Sequence, residues 1–551
     1  MKNYKDLLKT SILKIQEKDR RIAELEAARD EPVAIVGLSC RFPGAADPEA
    51  FWELIRSGTD ALTTMTDQRW NMDDYYSSRI GEPGKICTRR FGLLDAVDQF
   101  DPAAFGMSET EAVYVDPQHR LLLEQAWFCF ERAGLDVGRV RGADTGVFIG
   151  QMNSDYARLI KSTGDLNPYV GLGNALSAAA GRLSYVFGLK GPSVSVDTAC
   201  SSSLVAVHLA CQSLRMGDCS MALAGGVNLL LSPEAAIGAS VSQMLSPNGR
   251  CNTFGSGADG YVRSEGCGLV LLKTLARAQA DGDTILAVIR GSAVNQDGRS
   301  HGLSAPNGPA QIEVMRRALA SAKLDPAEVG YLEAHGTGTA LGDPVEVQAI
   351  DTVYGRAEGR QAPLVLGAVK ANIGHCESAA GIAGLIKLVL LLQQGQLPPI
   401  AHLGELNPHF DDLSGQLLFP KSGAQPSGVA RPGIAALSSF GYTGTNAHLL
   451  LSRPEGAGAE AATPPAGTAR QAFCFSAHSA TALRQQLRQL AQRLRARPAA
   501  TLPSLAAAVN RVRGRLAYRH AFLAGSMAEL LSQLDAGAQA DLPPPPLDGR
   551  P

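Results

Sequence analysis

Short apolar runs, broken by glycine-rich or polar turns, recur along most of the chain. PVAIVGLSC (32–40), TGVFIG (145–150) and the alternating SVSVDT (193–198) predict three strands. ALSAAAGRLSYVFGL (175–189) reads as a helix rich in small residues. A dense Leu/Val/Ala stretch after Cys200 reads as a buried helix. MALAGGVNLLL (221–231) and GLVLLKTL (268–275) are two more strands, separated by the glycine-rich SPNGRCNTFGSGADGYVRSEGCG. The series then restarts. ILAVIRGSAV (285–294), GYLEAH (330–335), PLVLGAVK (363–370) and AHLLLS (447–452) read as strands. QIEVMRRALASA (311–322) reads as an amphipathic helix and GIAGLIKLVLLLQQG (381–395) as a buried one. Strands alternating with helices predict a doubly wound α/β architecture. Two successive sets of similar size suggest an internal duplication. Residues 60–105 lack periodicity and read as a long surface excursion.

The two ends differ from this middle. Residues 1–30 are charged and lack Gly and Pro, and Leu8, Ile15 and Ile22 recur every seven residues. One apolar seam of this kind predicts a helix, paired as a short coiled coil but marginal alone. After Pro454 the composition turns to EGAGAEAATPPAGTA, a linker over 454–470. Residues 471–540 read as a small α+β unit, and DLPPPPLDGRP (541–551) as an extended tail.

Composition narrows the function classes. A net charge of −2 gives no electrostatic footprint for nucleic acid. The ten cysteines lack CxxC spacing, so neither a zinc site nor a disulfide framework is expected. No stretch reads as a membrane span or signal peptide, which makes the cytoplasm the expected compartment.

The candidate chemistry lies where predicted strands end. Cys200 follows SVSVDT and precedes Ser201, Ser202 and Ser203, which suit a helix start. Unpaired backbone N–H groups there are expected to lower the thiol pKa from about 8.5. His335 ends a strand in EAHGTGTALGDP, and His375 lies between a strand and a helix in KANIGHCESAAG. Ligands bind outside strand carboxyl ends in α/β sheets. A cysteine and two histidines so placed favour a nucleophile served by imidazoles over separate core residues.

VDTACSSSL, EAHGTGT with GDP, KANIGH and SSFGYTGTNAH resemble the four signatures of β-ketoacyl synthases. More narrowly, they resemble the ketosynthase domains of bacterial modular type I polyketide synthases. GLSCRFPGA, DPQHRLLLE and NTFGSGADGYVRSEGCG extend the resemblance over 31–453. It implies a thiolase-type fold, layered αβαβα, with halves at about 31–275 and 276–453, paired as a homodimer. Residues 1–30 resemble a docking coiled coil that receives an upstream subunit, and 471–540 the linker subdomain that follows such ketosynthases. The resemblance implies Cys200 as the acylated nucleophile, and His335 and His375 for decarboxylation and condensation. It implies Lys370, expected in a strand, as their electrostatic support. The backbone N–H groups of Cys200 and Tyr442 would form the oxyanion hole. Thr337, Thr339 and Phe440 would line the substrate and phosphopantetheine channel. The implied partners are an upstream and a downstream acyl carrier protein and an acyltransferase, with no cofactor or metal held by the domain itself.

Tyr442 and Thr443 depart from the commoner GFGGTN pattern, and Cys376 and Glu377 occupy positions that vary in the family. The presence of Cys200 and His335 argues against a loading decarboxylase or a non-elongating domain. The lack of a C-terminal CxG motif argues against a degradative thiolase. A non-catalytic scaffold remains a reading for 1–30 and 471–540 only.

Overall fold

The computed structural model describes residues 2–413, 416–422, 431–454, 470–496, 501–512 and 516–540. Most of the expected 454–470 linker and the whole 541–551 tail lie outside these. One twisted sheet of eleven strands carries the fold. In chain order these are β1 (Val33–Arg41), β2 (Thr145–Gly150), β3 (Ser193–Val196), β4 (Met221–Asn228), β5 (Gly266–Thr274) and β6 (Ala287–Gln296). The rest are β7 (Tyr331–Glu333), β8 (Leu364–Gly367), β9 (Leu417–Leu418), β10 (Ile434–Phe440) and β11 (Thr445–Ser452). Their spatial order is β9-β8-β7-β10-β11-β6-β1-β5-β4-β2-β3.

The order contains the same pattern twice. From β1 outward through β5, β4, β2 and β3, the pairings run antiparallel, antiparallel, parallel, parallel. From β6 outward through β11, β10, β7 and β8 they run the same way. The two first strands, β1 and β6, pair antiparallel where the copies meet, as a local two-fold requires.

Among the helices are α1 (Lys2–Arg29), α2 (Pro117–Arg132), α3 (Ser177–Phe187), α4 (Ser202–Met216), α5 (Gly308–Ala322), α6 (Gly342–Ile350) and α7 (Ala380–Gln394). α4 packs on β4 and β2 of its own half and reaches β6 and β11 of the other. α7 packs on β10 and also on β5 and β1. The two central helices are therefore sheathed by sheet on both sides. α2 and α3 cover the outside of one half, and α5 that of the other. α7 is apolar all round, as such a position demands, and is buried from Ala380 to Leu392. It lies within Glu377–Gln394, a segment long and apolar enough to cross a membrane, contrary to the sequence reading; 89% of that span is buried in the protein. Its one charge, Lys387, pairs with Glu333 of β7 at 2.6 Å.

β10 is a strand of its own, distinct from the turn motif into which the sequence runs it, and Lys370 opens a short helix (Lys370–Ile373) rather than ending the expected strand. Residues 60–105 are not a bare excursion. Trp70, Met72, Ile86, Cys87 and Phe91 form a small core with Leu230 and Leu245. The Arg69–Glu265 ion pair at 2.9 Å fastens it to the main domain. α1 is a single helix whose Ile12, Ile15 and Ile22 are exposed; the Leu8 side chain lies outside the described residues. The C-terminal unit is a two-stranded sheet (Gln471–Ala477 with Tyr518–Ala524) under three helices. It meets the main domain through Trp127 against His478 and Arg493 with Asp47.

Candidate active site

Cys200 sits on a tight turn between β3 and α4. Asp197 Oδ1 accepts the Ala199 N–H at 3.0 Å, and Ser202 Oγ accepts the Thr198 N–H at 2.9 Å. Ala199 takes φ +58°, a left-handed conformation uncommon outside glycine. The turn lifts Cys200 to the N-terminal end of α4, and Ser439 of β10 donates to the Cys200 carbonyl at 2.9 Å. The neighbouring glycine-bearing turn follows β10. A Cβ on Gly441 would meet the Thr198 carbonyl at 2.4 Å, so only glycine allows this approach. That approach turns the backbone N–H of Tyr442, like that of Cys200 itself, toward the Cys200 sulfur.

The expected lowering of the thiol pKa is not what this environment produces. Burial pushes Cys200 up to about 12, and the Glu377 carboxylate adds to the rise. Lys370 and the two backbone N–H groups act in the other direction without overcoming it. The sequence reveals the helix start but not the desolvation around it.

The two histidines converge on this turn from the other half of the fold. Their rings stand 5.5 Å apart, nearly perpendicular. The Phe440 N–H donates to His335 Nδ1 at 3.3 Å, and the Glu377 N–H donates to His375 Nδ1 at 3.0 Å. An Nδ1 that accepts cannot carry the proton, so each neutral ring holds it on Nε2. Both rings stay neutral. Burial depresses His335 well below the usual range, helped by Lys370 and then His375. Burial does the same to His375, helped by Lys370 and then Arg263.

Lys370 anchors the pair by donating its ammonium to the His335 carbonyl. Burial lowers its pKa, while Glu346 and Glu333 oppose the shift. Glu346 of α6 accepts the N–H of His335 at 2.7 Å and of Gly336 at 2.8 Å, and burial raises its pKa to about 7. Asp343 accepts from Gly338 and Phe254, fixing the loop that follows His335. Thr337 and Thr339 lie on that loop, half-buried, their hydroxyls 3.0 Å apart. Phe440 packs its ring 5.6 Å from His335. The Tyr442 ring is half exposed, so it stands at the rim rather than in the packed interior.

The structure thus brings together Cys200, His335, His375, Lys370, Phe440 and the Tyr442 backbone. It adds Glu346, Glu333 with Lys387, and Arg263, whose buried ion pair gives a partner to the Glu377 already noted in the sequence. Charges interrupt small and apolar residues in VRSEG and HCES, which marks each residue as unusual but does not pair them. Among the described residues no group of three or more His, Cys, Asp or Glu side chains could hold a metal ion.

Comparison with known proteins bears on this arrangement. The model of the β-ketoacyl synthase N-terminal domain matches residues 30–278, and that of the C-terminal domain residues 286–404. A RhiE-like KS-MAT linker domain matches 474–541. Polyketide synthase GfsA of Streptomyces halstedii is 46% identical over 524 residues, covering 93% of this chain; the chain spans 7% of that protein's length. The oxazolomycin ketosynthase domain OzmH KS7 of Streptomyces albus JA3453 superposes with a TM-score of 0.86 at 37% identity. That match covers 93% of this chain and 89% of the other. The ketosynthase from module 6 of the bacillaene synthase of Bacillus subtilis 168 gives 0.81 at 34% identity, covering 92% and 84%. The fold is accordingly the thiolase-type fold of these ketosynthases. The chain belongs to the β-ketoacyl synthases, acyl-transferring enzymes that form carbon–carbon bonds.

Proposed function

We propose that this domain elongates a polyketide chain by decarboxylative Claisen condensation. One observation carries the reading: two neutral imidazoles, each pinned with its proton on Nε2, stand 5.5 Å apart at the Cys200 turn. Cys200 attacks an acyl thioester on an upstream carrier protein. Its proton ends on the departing phosphopantetheine sulfur, and the acyl chain stays on Cys200. The N–H groups of Cys200 and Tyr442 receive the oxyanion of the tetrahedral intermediate. A malonyl-type extender on a second carrier protein then loses CO2. The two Nε2–H groups donate to its enolate oxygen, and Lys370 supports the pair electrostatically. The enolate carbon attacks the Cys200 thioester, the thiolate leaves, and the product is a β-ketoacyl thioester two backbone carbons longer. Thr337, Thr339 and Phe440 line the phosphopantetheine path in this reading. The acyltransferase that charges the extender carrier is a further partner.

β3 ends the sheet, and its Val194 and the adjacent Tyr185 of α3 are exposed, as is Leu172 on the short helix packed beside α3. A free sheet edge with apolar neighbours is ordinarily covered, and a second copy of this chain would cover it. Two tethered copies of α1 could then form a coiled coil that receives the upstream subunit's C-terminal docking segment.

The test is intact-protein mass spectrometry with acyl thioesters, followed by addition of malonyl-carrier protein. An adduct on Cys200 that is consumed to β-ketoacyl product supports the reading. An adduct that persists in Cys200→Ala, or one never converted to product, overturns it.

A further inference from the structure

The chemistry proposed above requires His375 to hold its proton on Nε2, and the ring does not arrange this by itself. The donor to Nδ1 is the backbone N–H of Glu377, only two residues on. That reach requires Glu377 to sit at φ +47°, a left-handed conformation unfavourable for a residue with a side chain. Something must hold the turn in place.

Its side chain does. Both Glu377 oxygens are gripped by Arg263, at 2.5 Å from Nε and 2.9 Å from Nη2. Asn153 donates to one of those oxygens at 2.9 Å and to Asn228 Oδ1 at 2.8 Å. Asn228 in turn donates to the Ser264 carbonyl at 2.8 Å. Arg263 and Glu377 are both buried. The segment carrying Arg263 also holds His375 by its backbone: the His375 N–H donates to the Val262 carbonyl at 2.8 Å, and the Ser264 N–H to the His375 carbonyl at 2.9 Å. The clamp therefore ties the ends of β2 and β4, the 262–264 segment and the start of the α7 region to one imidazole. A forked guanidinium–carboxylate pair suits this, because two parallel bonds fix an angle that a single bond leaves free.

We propose that Arg263 and Glu377 are positioning residues for decarboxylation. They hold the left-handed turn whose N–H fixes the tautomer and direction of His375. This inference rests on the condensation reading. It adds a division of labour: the clamp serves extender decarboxylation and is dispensable for loading Cys200.

Removing one partner alone would strand a buried charge. The test therefore compares two paired replacements in the full chain, Arg263→Met with Glu377→Met and Arg263→Gln with Glu377→Gln. Acyl loading is read by mass spectrometry with propionyl-N-acetylcysteamine, and decarboxylation by CO2 release from malonyl-N-acetylcysteamine. The Met pair, which keeps volume and loses the hydrogen bonds, should decarboxylate about a hundredfold more slowly, the scale of losing a well-placed donor. Its loading should not slow, because losing the Glu377 charge removes a group that raises the Cys200 pKa. The Gln pair, which can still bond side chain to side chain, should recover part of the decarboxylation. Adding His375→Ala to the Met pair should cost nothing beyond His375→Ala alone, because both act through one ring. Unchanged decarboxylation in the Met pair overturns the proposal. So does a parallel loss of loading and decarboxylation, or a triple variant slower than His375→Ala. Failure of the parent chain to load or decarboxylate would instead overturn the condensation reading.

Discussion

Replacing Gly441 by alanine tests the oxyanion hole without touching a reactive side chain. The added Cβ would lie 2.4 Å from the Thr198 carbonyl oxygen, 3.1 Å from Ser201 Oγ and 3.2 Å from the Thr445 carbonyl oxygen. The Thr198 carbonyl is held by Ser201 Oγ at 2.9 Å, on the same turn that presents Cys200. The 441–444 turn is itself braced, the Gly444 N–H donating to the Gly441 carbonyl at 2.7 Å and the Asp297 N–H to the Gly444 carbonyl at 2.9 Å, so it moves as a unit. The closest contact is about 1 Å short of ordinary van der Waals separation, so the turn must withdraw by roughly that amount. A Tyr442 N–H placed about 2.9 Å from an oxyanion would then stand nearly 4 Å away, beyond useful hydrogen bonding. Losing one such donor costs about 10²–10³ in rate, or ~2.7–4 kcal/mol of transition-state stabilisation. Gly441→Ala should therefore load propionyl-N-acetylcysteamine at least about a hundredfold more slowly in a mass-spectrometric time course. Alkylation of Cys200 by iodoacetamide creates no oxyanion and should change by only about a few-fold. Loading at the parental rate in a variant with native circular dichroism would refute the assignment of the Tyr442 N–H. Equal loss of loading and alkylation would place the damage in the Cys200 turn instead.

His335→Ala and His375→Ala should each lower condensation about a hundredfold or more while leaving appreciable loading, since loading needs no enolate donors; normal elongation by either variant makes that histidine structural. Glu377→Gln, assayed where circular dichroism shows the fold survives the stranded Arg263, removes a negative charge that, after burial, raises the Cys200 pKa. The alkylation rate plotted against pH should move to lower pH, and a curve that stays put or moves up contradicts the electrostatic account. His448 is buried and neutral, its pKa lowered by burial to about 3, against about 6.5 when unfolded. A depressed histidine contributes stability in full above pH 6.5 and loses it progressively toward pH 3. In thermal melts, His448→Asn should be less stable at pH 7 yet lose less between pH 6 and pH 4; a parallel decline counts against this. Deleting residues 1–28 should leave oligomeric state and activity on free acyl thioesters unchanged, while transfer from the cognate upstream carrier protein falls sharply. Monomers after the deletion, or undiminished transfer, would refute the docking role of α1.

Much of this was legible in the sequence because strand ends and chemistry coincide. Cys200, His335 and His375 each follow a recognisable apolar run, and short-range pattern suffices to place them. What escaped depends on contacts between distant segments. Arg263 and Glu377 are 114 residues apart, and neither segment alone reveals that they meet. A helix start is a local feature and favours a lowered thiol pKa, whereas burial, which depends on distant segments, decides that the shift is upward. The small core around Trp70, Ile86 and Phe91 draws on Leu230 and Leu245 from elsewhere, so the 60–105 stretch shows no period of its own. β10 was absorbed into the turn motif because IAALSSF runs directly into GYTGTN, with no polar break to mark the strand's end.

The repeated topology leaves a mark on the reaction centre that no side chain carries. Equivalent strands β3 and β8 lead into equivalent central helices, α4 and α7, and the segments opening those helices touch. Each includes a non-glycine residue in the left-handed region, Ala199 in one and Glu377 in the other. Two peptide-dipole columns therefore begin at one spot, each contributing about half a positive charge there. The preference of this spot for a negatively charged oxygen is written into the backbone by the repeated topology. Pocket residues can drift toward new acyl chains without erasing it. Such a scaffold is free to diversify in what it accepts while the electrostatic reason for accepting it stays inherited.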